Sequence, residues 1–147
     1  MRGLDLNIFK TVTGLGVAVL LVSAVQAETI AANWTCHFTT ECFEQEACNE
    51  TDYDVEVSYD IDETAGKPGH GAGSGKMTDV VATRRAVILH DNGAFFANAI
   101  DTTSDATIPP SLFQIFAVAS GDARLISATP TDPLLITYSG SCKAEGS

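Results

Sequence analysis

Three of the four cysteines, Cys36, Cys42 and Cys48, fall six residues apart in one short stretch, and the fourth, Cys142, stands near the far end. Four cysteines allow three pairings, and spacing alone does not choose among them. Strand parity weighs them. From Ile30 to Thr39 the chain alternates, with Ile30, Ala32, Trp34, Cys36 and Phe38 on one face and Ala31, Asn33, Thr35, His37 and Thr39 on the other. Such alternation marks a strand with one face buried. Leu134 to Cys142 alternates too, with Leu134, Ile136, Tyr138, Gly140 and Cys142 sharing a face. Cys36 and Cys142 therefore lie on the apolar sides of the first and last strands. If the sheet closes, those strands become neighbours, and a bond between the two sulfurs would clip the closure.

Cys42 would then pair with Cys48, under a geometric condition. Six residues span about 9 Å in a helix and about 20 Å in a strand, whereas a disulfide tolerates Cα separations of only ~7 Å. The segment between the two cysteines must turn back on itself. A metal site from Cys36, His37, Cys42 and Cys48 is the rival reading, but it lacks the Cys-x-x-Cys knuckle of structural zinc sites.

Oxidised cysteines suit an exported chain, and the N-terminus agrees. Arg2 and Lys10 precede an apolar run from Leu15 to Val25, and Val25-Gln26-Ala27 ends it with small residues. This is the layout of a secretory signal peptide, and the run is shorter than the ~20 residues of a spanning helix. Residues 1–27 are expected to be removed, leaving 28–147 as one secreted, periplasmic domain with no membrane attachment.

Asp52 to Asp62 is the clearest strand. Tyr53, Val55, Val57, Tyr59 and Ile61 alternate without exception with Asp52, Asp54, Glu56, Ser58, Asp60 and Asp62. Residues 41–63 hold ten acids and no base. The candidate binding face is therefore Asp52, Asp54, Glu56, Asp60 and Asp62. Calcium needs converging oxygens, whereas alternate residues on a strand stand about 7 Å apart in a row. The leader holds Asp5, Arg2 and Lys10, so the mature part is one unit more negative than the chain's net −11. A surface this acidic repels nucleic acid and anionic lipid and attracts basic proteins. The plain alternative is a solvated face whose repulsion is eased by Lys76, Arg84 or Arg85 on a neighbouring strand.

Elsewhere the chain reads as short strands and turns. Glu41 to Glu50 leans helical by propensity and is expected as a loop or a turn or two of helix. Thr64 to Gly75 holds five glycines and a proline, which predicts a flexible exposed connection. Lys76 to Ala82 is a weak strand. Arg85–His90 and Ala94–Ile100 flank Asp91-Asn92-Gly93, the signature of a tight hairpin. Ser111–Val118 and Ala123–Thr129 make a second hairpin about Ser120-Gly121-Asp122, and Thr102–Pro110 and Pro130–Pro133 are breaks. Seven or eight short strands with turns at all-β spacing predict a small antiparallel up-and-down β-barrel, disulfide-stapled, with a β-sandwich as second choice.

The opening Trp34-Thr35-Cys36 strand and the cysteine of the last strand, Cys142, resemble bacterial periplasmic lysozyme inhibitors of the small β-barrel type. The resemblance covers those two ends and the acidic surface, and it implies a barrel that binds a basic enzyme. It departs at the family's Ser-Gly-x-x-Tyr loop, since Ser74-Gly75-Lys76-Met77-Thr78 has no tyrosine.

No catalytic signature is present: the histidines His37, His70 and His90 are scattered, and no phosphate loop or nucleophile elbow occurs. The expectation is a non-enzymatic binding module with no cofactor, no nucleic acid and a basic protein as partner. The alternatives are a carrier holding an apolar ligand inside the barrel, for which Phe95, Phe96, Phe113 and Phe116 would serve, and a purely structural secreted protein.

Overall fold

A computed structural model describes residues 28–44, 46–101, 110–129 and 134–146. The leader expected over 1–27, residues 102–109 of one predicted break and all of the break at 130–133 lie outside them. The described residues form eight strands: β1 (Thr29–Phe43), β2 (Asn49–Asp62), β3 (His70–Thr78), β4 (Thr83–Asp91), β5 (Ala94–Asp101), β6 (Ser111–Ala117), β7 (Asp122–Thr129) and β8 (Leu134–Ala144). Each pairs antiparallel with the next, and β8 returns to β1, so the sheet is a closed up-and-down barrel. The fold class is the expected one, and closure leaves no free sheet edge.

The two disulfides are Cys36–Cys142 and Cys42–Cys48. Cys36 stands directly opposite Cys142 across the β1–β8 ladder. Cys42 and Cys48 approach to 4.2 Å between Cα atoms. The backbone reverses between them through Glu44, whose φ is +43°, so the geometric condition is met by a hairpin. Among the described residues no helical turn forms there: β1 runs on to Phe43 and β2 starts at Asn49. Cross-strand pairing and the disulfide override the helical propensity of the Glu- and Ala-rich segment.

Eight strands make a barrel just wide enough for side chains to fill. Phe38, Val57, Met77, Ile88, Ile115 and Leu125 are fully buried and occupy its interior. The glycine-rich segment supplies the correction. Gly71, Gly73 and Gly75 belong to β3, and Gly71 is buried. A Cβ on Gly73 would stand 2.6 Å from Ile61 Cγ2, and one on Gly75 2.6 Å from the Ser58 carbonyl and 2.8 Å from Ile88. The glycines face inward and yield their volume to large neighbours, so His70 to Gly75 is strand, with its core contributed by β2 and β4, and only residues 64–69 remain as the expected connection.

The phenylalanines divide by parity. Phe95 and Phe113 pack with the core, whereas Phe96 and Phe116 face outward as a ring pair 4.8 Å apart. The hairpin between β4 and β5 turns at Asn92 (φ +47°) and Gly93 (φ +83°), the two left-handed positions its Asn-Gly predicted.

Candidate functional site

β2 pairs with both β1 and β3, so its outward row has neighbours on two sides. Asp52, Asp54, Glu56, Asp60 and Asp62 are all exposed. Opposite them on β1 stand His37, Thr35, Asn33, Ala31 and Thr29, facing Asp54, Glu56, Ser58, Asp60 and Asp62 in turn. On β3, Thr78 faces Glu56 and Lys76 faces Ser58. The β2–β3 ladder stops at Tyr59–Gly75 and resumes as a bridge at Glu63–Gly71. Asp60 and Asp62 thus have no directly paired residue on that side.

One base meets this row at close range. His37 Nδ1 lies 2.7 Å from Asp54 Oδ1 and 3.6 Å from Asp52 Oδ1. Both contacts are solvent-exposed and worth little to stability. The three groups bring one donor atom each within 4.8 Å of one another, a set that can present one imidazole and two carboxylates to a divalent cation. The sequence placed His37 on the outward face but not beside Asp54. The pair belongs to an unbroken register from Thr29–Asp62 to Phe38–Tyr53, and a one-residue irregularity follows it between Phe38 and Thr40.

Of the bases expected to ease the acidic row, Arg84 is not there. It lies opposite Met77 and points inward. Its Nη1 donates to Asp79 Oδ2 at 2.8 Å and its Nε to Asp101 Oδ2 at 3.1 Å, and its guanidinium lies 4.1 Å from the Phe113 ring centroid. The Tyr53 hydroxyl also donates to Asp79 Oδ2, at 2.6 Å. Burial pushes the Tyr53 hydroxyl well above its ordinary value, reinforced by the Asp79 carboxylate. Burial alone would raise Asp79, but hydrogen bonds from Tyr53, the Ala82 and Val81 amides and Arg84 hold it below the usual 3.8. This cluster is a structural plug inside one mouth of the barrel.

A second, partly buried network lies toward the other mouth. Trp34 Nε1 donates to the Tyr59 hydroxyl oxygen at 2.9 Å, and His90 Nδ1 lies 2.8 Å from the same oxygen. The Gly93 amide donates to His90 Nε2 at 3.3 Å, which places the ring proton on Nδ1. Burial lowers His90 below 6.5, so the ring is neutral at pH 7.

Lys76 and Arg85 face each other across β3 and β4. Among the described residues neither makes an ion pair. They line one side of an open groove of about 620 Å³, with Asp60, Ser58 and Asn33 on the other. The β2 wall therefore offers a row of carboxylates, a histidine at one end and a shallow mixed groove toward the middle.

These features define a small disulfide-stapled β-barrel with an acidic outer wall. No protein-family model, no curated protein and no solved structure matches the chain.

Proposed function

We propose that the protein acts by binding, with the outer β1–β2 wall as the docking surface for a basic protein. The disulfides fit an oxidising environment, and with the leader read over residues 1–27 they support an exported, periplasmic setting. The observation that carries the reading is the row Asp52, Asp54, Glu56, Asp60 and Asp62. It is exposed along its whole length, and no lysine or arginine stands directly opposite any of the five carboxylates. Such a field raises the association rate of a cationic partner and is weakened by salt.

Lysozyme serves as the basic probe. Gel filtration at low salt is expected to show a complex that disappears near 0.5 M salt, where the Debye length is only about 4–5 Å. Replacing Asp52, Asp54 and Glu56 together by Asn, Asn and Gln is expected to slow association about tenfold or more with folding unchanged. A complex indifferent to both salt and this substitution would remove the acidic wall from the interaction.

The carrier reading gains no support from the interior, where the fully buried Phe38, Met77, Ile88, Ile115 and Leu125 occupy the space an apolar ligand would need.

A further inference from the structure

The barrel wall across from the acidic strand carries an apolar face that neither the core nor the β1–β2 surface uses. Leu89 opposes Phe96, Phe96 opposes Phe116, and Ile100 opposes Leu112. Val87, Leu89, Ile100 and Phe116 are 58, 49, 59 and 46% exposed. Soluble monomers seldom expose contiguous apolar patches beyond a few hundred Å². Asn98 sits among these residues, and its Oδ1 is shut off from solvent with no hydrogen-bond partner among the described residues.

We propose that this face docks a second copy of the same chain about a two-fold axis. Charge distribution selects that occupant. In a chain of net −11, self-association is opposed wherever carboxylates meet. The outward positions of β5 and β6 from Phe96 to Ile100 and from Leu112 to Phe116 carry none. β2 lies on the opposite wall of the eight-strand ring, so face-to-face pairing sets the two acidic rows as far apart as the molecule allows. The margin bears both signs: Arg124 opposes Phe116, and Asp122 precedes it on the same outward row of β7. In an isologous interface every contact occurs twice, so a margin bearing both signs can pair with itself whereas a wall of carboxylates cannot. An anionic bilayer is repelled by the net charge, and a basic partner is drawn to the far wall. The inference does not depend on the proposed function.

Sedimentation equilibrium of the purified, oxidised protein from micromolar to millimolar concentration tests it. The expected result is a dimer that added salt does not weaken, in contrast to the lysozyme complex. Phe116→Glu is expected to raise the dissociation constant at least about thirtyfold. Leu89→Glu should act in the same direction, and Ala31→Glu on the acidic wall serves as a charge control that leaves the dimer intact. Far-UV circular dichroism verifies that each variant folds. A protein monomeric at millimolar concentration overturns the proposal, as does a dimer that survives both substitutions. Flotation of a monomeric protein with phosphatidylcholine vesicles assigns the face to lipid and overturns it as well.

Discussion

Arg84 is the most consequential single residue. Its side chain and that of Asp79 are 6 and 3% exposed, so each charge depends on the other for the solvation it has lost. Arg84→Met would leave a buried carboxylate whose remaining partners are Tyr53 and two turn amides. Removing one partner of a buried pair costs about 3–5 kcal/mol. Urea denaturation should show a loss of that size, and a loss under about 1 kcal/mol would mean that water reaches Asp79. The pH dependence follows from the same buried groups. His90 and Asp79 lie below their ordinary values of 6.5 and 3.8. Their contributions are therefore full above those values and are lost in turn as the pH falls through the folded pKa of each. Tyr53, Tyr59 and Tyr138 lie above the ordinary 10.0. Their contribution is full below pH 10 and is lost as the pH rises through the folded values. Stability measured by urea melts should be flat between about pH 7 and 10 and fall on both sides. In the Arg84→Met variant the acid limb should move to higher pH, because Asp79 loses the cation that helps depress it. None of this was legible at the residue level in the sequence, where Arg84 and Arg85 look interchangeable and only the register separates them.

At the scale of the element, β3 shows how composition misleads. Three glycines in six residues, following Gly66, Pro68 and Gly69, describe a loop well, and a strand poorly, if each residue must bring its own core. The alternation Gly71-Ala72-Gly73-Ser74-Gly75-Lys76 nevertheless carries a period of two, with the glycines on the side where Ile61, Ser58 and Ile88 leave no room. Gly75→Ala is the sharpest test, because its nearest obstacle is a backbone carbonyl that cannot rotate away. Overpacking of this kind costs about 1–3 kcal/mol. Chemical denaturation that shows Gly75→Ala neutral would mean that β2 and β3 separate easily at this seam. The irregularity in β1 became visible only with the register and the disulfides in hand. Inward residues of β1 are even-numbered and those of β2 odd-numbered, so facing pairs such as Cys36–Val55 have odd sums. Cys42 and Cys48 sum to an even number, so one strand must hold an extra residue between Phe38 and Cys42. The structure puts the shift between Phe38 and Thr40, beside Gly140, where a Cβ would collide with the His37 carbonyl.

For the whole molecule, the Cys36–Cys142 bond closes a chain segment of 106 residues and Cys42–Cys48 one of 6. In the chain-entropy account the long loop is worth about 4–5 kcal/mol and the short one about 2 kcal/mol. Replacing Cys36 and Cys142 by alanine should thus destabilise the barrel about twice as much as replacing Cys42 and Cys48, as read from urea midpoints at equal m. The reverse order would place the main constraint at the β1–β2 hairpin. By itself the sequence determined which residues share a side of each strand, because side-chain alternation is a local property of extended backbone. It determined the Asn-Gly turn and the inward placement of Cys36 and Cys142 because these too are local. Only the tertiary structure decided which rows become neighbours, which bases lie beside the acids, and that Phe96 and Phe116 meet outside while Arg84 is sealed within. Those outcomes depend on strand register and ring closure, which arise from contacts between residues far apart in the chain.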